Sequence, residues 1–290
     1  MLSLKNFIKE NEELLEALIT FDKQAYPKFG NVVIMAGGAG SGKGFIKDKL
    51  LGIEGFTFDV DELKKVAAKT PAIVKKVKDE TGHDLEWLGK NMGYGNEKNV
   101  AKVHEIIGDY LKLDDKKKQT LFTSILTAAP DRKPNLIFDV TMKSMTQLQK
   151  YTLPIQDLGY DKRKIHIVWV VNDIEVAKAQ NISRGQKEGG RSVPVEILVD
   201  THRGASTTMN TIINMGQSLE KYMDGDIVFA FNKFKVDSDI TKSDKGGEFI
   251  EKANYVYIKR AGKPVEPETL NAALRAKIAS YVPPAVSWEI

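Results

Sequence analysis

Residues 37–44, Gly37-Gly38-Ala39-Gly40-Ser41-Gly42-Lys43-Gly44, constrain what this chain can fold into more than any other stretch. An apolar, β-branched run, Val32-Val33-Ile34-Met35, precedes them. After them comes Phe45-Ile46-Lys47-Asp48-Lys49-Leu50-Leu51, with Phe45, Ile46, Leu50 and Leu51 close to helical spacing. Strand, glycine loop and helix in that order are what a phosphate-binding P-loop requires. The glycines let successive backbone N–H groups turn inward around an anion. The helix N-terminus adds partial positive charge, and the lysine reaches the β and γ phosphates of a nucleotide. The pattern is G-x-x-x-x-G-K with one departure: Gly44 stands where a Ser or Thr hydroxyl normally holds Mg²⁺. Phosphate binding survives that change, while the metal moves onto water or another side chain. Gly38, Ala39, Gly40, Ser41, Gly42, Lys43 and Gly44 are therefore the expected cofactor-binding residues, with ATP and Mg²⁺ as the cofactors. The bland alternative is a glycine-rich turn with no ligand.

Further strands follow at plausible spacings. Phe56-Thr57-Phe58-Asp59-Val60-Asp61 alternates and reads as a second strand ending in two acids, with a helix starting at Glu62. In an open parallel sheet, ligands bind beyond the carboxyl ends of the strands, so Asp59 and Asp61 stand at the substrate end. Asp61 also reads as a helix N-cap, and the two roles can coexist. Asn135-Leu136-Ile137-Phe138-Asp139-Val140-Thr141 is an apolar run ending in an acid, which sets Asp139 beside Lys43 as the metal-binding candidate. Ile165–Val171 reads as a fully buried strand and 226–232 as another. Between 174–183, read as helix, and Val193-Pro194 lies a glycine-rich, basic segment expected to be a mobile lid, 183–194, carrying Arg184 and Arg191 toward the transferred phosphate.

The expected fold is α/β: a P-loop NTPase-type parallel sheet flanked by helices, with a helical substrate-side insertion and a lid. The expected organisation is an amphipathic helix within 1–30, a core over 31–235 that includes a helical insertion over 65–130, and a C-terminal extension over 236–290. The N-terminal helix packs on the sheet in one reading and docks a protein partner in the other. Within the insertion, Val100, Val103, His104, Ile107, Tyr110 and Leu111 share a helical face, so His104 is assigned to the core or its edge. Lys116-Lys117-Lys118 reads as a solvated turn. A strand near 254–259 and a helix near 267–281 are expected toward the C-terminus, with no chemistry there.

Composition bounds the function classes. There is no cysteine, which excludes disulfides, thiolate metal sites and cysteine nucleophiles. Four scattered histidines argue against a histidine metal site. The net charge of +4 permits an anionic substrate without itself arguing for nucleic acid. No membrane-length apolar run or secretory signal is visible, so a soluble, cytoplasmic protein that does not engage membranes is expected.

Taken in order, the P-loop, the Asp-x-Asp strand with a basic helix, the Asp-x-Thr strand, the Arg-Gly segment and Val193-Pro194-Val195-Glu196 resemble the P-loop kinases that include the phage polynucleotide 5′-kinase domain and the zeta toxins. The resemblance spans about 31–232. It implies Asp61 as catalytic carboxylate and Lys64 as its basic partner, where the polynucleotide kinases have arginine. It implies Asp139 where the zeta toxins have glutamate, Arg184 as the lid arginine, and Arg191 beside it. The function implied is transfer of the γ-phosphate of ATP to a hydroxyl of a nucleotide, polynucleotide or modified base, with a zeta-toxin-like UDP-sugar kinase as the alternative. Lys64, Lys65, Lys69, Lys75, Lys76 and Lys78 favour an anionic acceptor. Gly44 keeps a second class open, a non-catalytic ATP-binding interaction module. An NTPase motor would need a Glu or Gln to position water, and the third strand offers Asp139-Val140-Thr141 instead.

Overall fold

A computed structural model describes residues 18–188, 190–242, 248–265, 268–284 and 288. In chain order its strands are β1 (Val32–Ala36), β2 (Phe56–Asp59), β3 (Leu136–Asp139), β4 (Ile165–Val171), β5 (Ile227–Phe231), β6 (Asp239–Lys242), β7 (Glu248–Lys252) and β8 (Asn254–Lys259). Six of them form one sheet in the order β2-β3-β1-β4-β5-β8, while β6 and β7 pair as a separate hairpin. The first five strands of the large sheet run parallel, and β8 is antiparallel to β5. The fold is thus α/β with a mostly parallel central sheet flanked by helices.

β1, β4 and β5 are buried at every residue. Both faces of the sheet are covered, and for that reason these strands read as unbroken apolar runs rather than alternating ones. The period of two sends Val32 and Ile34 into one core, with Phe138, Ile167, Trp169 and Phe229, and sends Val33 and Met35 into the other, with Ile46, Val168, Val170 and Ala230. Trp288 stacks on Trp169 with ring centres 5.4 Å apart.

The helices are α1 (Lys43–Lys49), α2 (Val60–Lys69), α3 (Pro71–Thr81), α4 (Leu85–Lys90), α5 (Glu97–His104), α6 (Leu113–Leu126), α7 (Met145–Asp157), α8 (Ile174–Gly185), α9 (Val195–Asn214) and α10 (Ala272–Tyr281), with a π-helical turn at Glu105–Tyr110. Between β2 and β3, α2 to α5 and the π turn enclose a third core of their own, including Ala67, Val77, Leu85, Leu88, Val103 and Ile107. No described helix is long and apolar enough to cross a membrane.

Several expectations change. β2 ends at Asp59 and α2 begins at Val60, so the N-cap is Asp59, whose Oδ1 accepts the Asp61 N–H at 2.7 Å. Lys116-Lys117-Lys118 lies inside α6 instead of in a turn. Of the face expected over 100–111, Val100, Val103, Ile107 and Leu111 are buried, but His104 and Tyr110 are exposed. The π turn begins after His104 and keeps Ile106 and Ile107 both in the core. The expected C-terminal extension, 236–290, supplies β8 to the sheet and Leu270, Ile278, Tyr281 and Trp288 to its core. The helix expected near 267–281 starts only at Ala272. The amphipathic helix expected over 2–20 falls mostly outside the described residues. Ile19 and Phe21, at its far end, are buried, and Ile19 bridges to Leu51.

Candidate active site

Each parallel strand of the sheet delivers polar groups at its carboxyl end. β1 runs into the glycine loop, β2 into Asp59 and Asp61, β3 into Asp139 and Thr141, β4 into Asn172, and β5 into Asn232. This is the edge at which open α/β sheets take ligands.

The loop is held from behind by side chains far away in sequence. Thr201 Oγ1 accepts the Ala39 N–H at 3.0 Å, and His202 Nε2 donates to the Ala39 carbonyl at 2.8 Å. Adjacent residues of α9 thereby grip both backbone groups of one loop residue. Asn232 Nδ2 donates to the Ser41 carbonyl at 2.9 Å. A Cβ on Gly38 would lie 2.1 Å from the His202 ring, which is why only glycine fits there. Burial drives the His202 pKa down to about 4, so this imidazole is neutral and carries its proton on Nε2. The N–H groups of Gly37, Ala39 and Ser41 already have protein acceptors. The Ser41 hydroxyl is buried and finds no hydrogen-bond partner among the described residues. Recognition of an anion therefore falls to the remaining N–H groups of the loop and to Lys43. The Lys43 ammonium folds back on the loop, donating to the Gly37 carbonyl at 2.8 Å, and stands 3.7 Å from Asp139 Oδ1.

The other wall of the site is carried by α2 and the segment between α8 and α9. Asp61 Oδ1 accepts from Lys64 Nζ at 3.1 Å, and Asp61 Oδ2 is paired with the Arg191 guanidinium. Burial opposes the charge on Asp61, but Arg191 and Lys64 outweigh it and hold the carboxyl far below the usual carboxylate range. Arg184, expected on the lid, is in the last turn of α8. Its Nε donates to the Arg191 carbonyl at 3.0 Å and its second guanidinium nitrogen to Asn181 Oδ1 at 3.2 Å. Burial and the neighbouring Arg191 charge both lower the Arg184 pKa. The lid segment is itself fastened: Ser192 N–H donates to the Met92 carbonyl at 2.9 Å, and the Asn181 side chain bonds both the N–H and the carbonyl of Val193. Gly189 lies outside the described residues.

These walls enclose a cleft of about 1290 Å³, lined by the loop, Asp59, Asp61, Lys64, Asp139, Arg184 and Arg191. All the candidate site residues read from the sequence except Gly38, which lies against the His202 ring, therefore line one cavity. Lys65 and Lys69 also line it; Lys75, Lys76 and Lys78 lie on the solvated face of α3 instead. His104, exposed over much of its surface, lines the cleft, and the partial desolvation there together with Lys64 lowers its pKa. Thr201, His202 and Asn232 were not legible as site residues. Nothing in their local spacing marks them, because their role is a contact with a loop about 160 to 190 residues earlier.

Asp139 suits a metal in one respect. Burial raises its pKa, and Asp59 and Asp61 add negative charge around it, so an added cation is favoured there. Among the described residues no cluster of three or more His, Cys, Asp or Glu side chains forms a metal cage. A single carboxylate with water and nucleotide phosphates is the usual manner of holding Mg²⁺.

A zeta toxin family model matches residues 109–229. The matched stretch contains Asp139, Arg184 and Arg191 but is less than half of the chain, and it leaves out the glycine loop and Asp61. Among solved structures, the AvrRxo1-ORF1:-ORF2 complex crystallised with ATP is similar at 14% identity, covering 98% of this chain and 72% of that one, with a TM-score of 0.47. The PezAT toxin–antitoxin system of Streptococcus pneumoniae is similar at 13% identity, covering 78% of this chain and 74% of that one, with a TM-score of 0.37. With TM-scores below 0.5 neither likeness adds to the functional reading. No curated protein sequence matches the chain.

Proposed function

We propose that this protein is a zeta-toxin-like kinase that transfers the γ-phosphate of ATP to a hydroxyl of an anionic, nucleotide-like acceptor. The observation that carries the reading is the meeting of Lys43 and its glycine loop with Asp61, Lys64 and Arg191 across one cleft. A binding module needs only the first group. The family match over 109–229 adds independent support, because it covers Asp139 and both arginines but none of the loop.

In this reading the β and γ phosphates lie against the loop and Lys43. Arg191 and Arg184 face the transferred group and offset the charge that spreads over its oxygens in the transition state. Asp61 orients the acceptor hydroxyl and takes its proton as the oxygen attacks in line. A carboxylate bound by two cations is a weak base, so Asp61 works in this way only once Arg191 has turned to phosphate. Lys64 and Lys69 attract an acceptor carrying its own negative charge. Asp139 would hold Mg²⁺, which supplies charge neutralisation on the phosphates when bound.

The test is incubation with γ-labelled ATP and a panel of 5′-hydroxyl DNA and RNA, nucleosides, nucleotides and UDP-sugars. Label on one class of acceptor, lost in Lys43→Ala, is the expected result. ATP binding without transfer to any acceptor would favour the interaction module.

A further inference from the structure

We infer that the ion pair between Asp61 and Arg191 is a latch across the cleft: Arg191 occupies the acceptor-side carboxylate until the terminal phosphate of a nucleoside triphosphate draws the guanidinium away. This rests on the nucleotide site proposed above and adds to it an order of events. The triphosphate binds first, and only then is Asp61 free to engage an acceptor.

The pair joins two separate parts of the chain, 130 residues apart: the first turn of α2 and the segment between α8 and α9. The backbone of that segment is fixed. Arg184 holds the Arg191 carbonyl, Met92 holds Ser192, and Asn181 holds Val193 on both sides. What remains able to turn is the Arg191 side chain, so release is a side-chain rotation and needs no opening of the backbone. Asp61 is not stranded by it. Lys64 Nζ stays at 3.1 Å, and the Asp61 backbone N–H stays on Asp59. The destination lies in the same cleft, which Arg191 lines together with the glycine loop, Lys43 and Asp139, Lys43 standing 3.7 Å from Asp139. Arg184 also crowds Arg191 with like charge, and a phosphate placed between the two guanidinium groups relieves that repulsion. A guanidinium takes a carboxylate and a phosphate with the same forked geometry, so one replaces the other without new side chains.

A closed latch reduces apparent affinity for a triphosphate by the fraction of protein in which Arg191 is free. Removing the carboxylate charge lifts that reduction. Isothermal titration of the full chain with AMP-PNP and with ADP, in the parent, Asp61→Asn, Arg191→Ala and the double variant, reads it directly. Asp61→Asn is expected to tighten AMP-PNP about tenfold and to move ADP by less than about twofold. Arg191→Ala is expected to weaken AMP-PNP and to abolish the effect of adding Asp61→Asn. Equal tightening of AMP-PNP and ADP, or tightening that persists in the Arg191→Ala background, would mean that Asp61 simply repels phosphate, and overturns the latch. So does unchanged AMP-PNP affinity in Asp61→Asn. A parent that binds neither nucleotide overturns the nucleotide site itself, and the latch with it. If Arg191→Ala does not fold by thermal melting, Arg191→Met, which keeps an aliphatic stem, replaces it in the cycle.

Discussion

Gly42 and Gly44 are two residues apart, and the structure assigns opposite consequences to giving each a methyl group. Gly42 has φ +87°, in the left-handed region, and an added Cβ would lie 1.8 Å from Asn232 Nδ2. An L-residue there costs about 1–2 kcal/mol. Displacing the Asn232 amide breaks its 2.9 Å bond to the Ser41 carbonyl, at a net cost of about 1 kcal/mol. Gly42→Ala should therefore lose about 2–3 kcal/mol of stability, and ATP affinity with it, because the backbone that aims the Lys43 side chain is forced to shift. Gly44 has no positive φ, a Cβ there meets nothing within 4 Å, and it is the second residue of α1. Gly44→Ala should gain about 0.5–1 kcal/mol from helix propensity and leave ATP affinity unchanged. Urea unfolding followed by tryptophan fluorescence, with calorimetric titration of ATP on the same samples, measures both. A Gly42→Ala variant as stable as the parent, or a destabilised Gly44→Ala, would show that the loop does not hold this conformation and would remove the basis for its role.

Three further outcomes are expected. Lys43→Ala should abolish detectable ATP binding by titration while losing only about 1 kcal/mol of stability, the worth of its bond to the Gly37 carbonyl; normal ATP affinity would end the P-loop reading. His202 binds its proton near 6.5 when unfolded and near 4 when folded, so the unfolded state gains protons as pH falls between those values, and stability should drop by about 2 kcal/mol between pH 7 and pH 4.5; urea unfolding at those two pH values should show that loss in the parent and a shallower one in His202→Gln. If Asp61 takes the acceptor proton, Asp61→Asn should lower phosphoryl transfer by ~10²–10⁴-fold with labelled ATP; because Asp59 and not Asp61 caps α2, the fold should survive, and a rate within about threefold of the parent would remove Asp61 from proton transfer.

The strands were legible where burial on two faces forces a continuous apolar run, as in Val32–Ala36, Ile165–Val171 and Ile227–Phe231. They blurred where the decision is local. Asp61 reads as the N-cap from sequence, but the backbone at Asp59, φ −126° and ψ 118°, gives that role to Asp59 by placing Val60 already in the helix. Arg184 illustrates a signal present but outweighed by glycine content. Ala177, Asn181 and Gly185 are buried at intervals of four, a helical stripe that carries α8 past Arg184 to Gly185. The strand at 254–259 was legible, but its antiparallel pairing with β5 and the burial of Trp288 had no local signature, because they depend on a strand edge and a ring presented by distant segments.

The site follows the same division. Glycine at 37–44 announces a phosphate loop, yet the reason glycine is required at 38 and 42 lies in His202 and Asn232, which a reading of the loop alone cannot reach. The family resemblance implies a catalytic carboxylate at Asp61, while the proton affinity of that carboxyl depends on Arg191, 130 residues later. A carboxylate this strongly stabilised as an anion accepts no proton until its cation leaves. The same contact that makes Asp61 look inert therefore supplies a means of keeping it so while no terminal phosphate is there to be transferred.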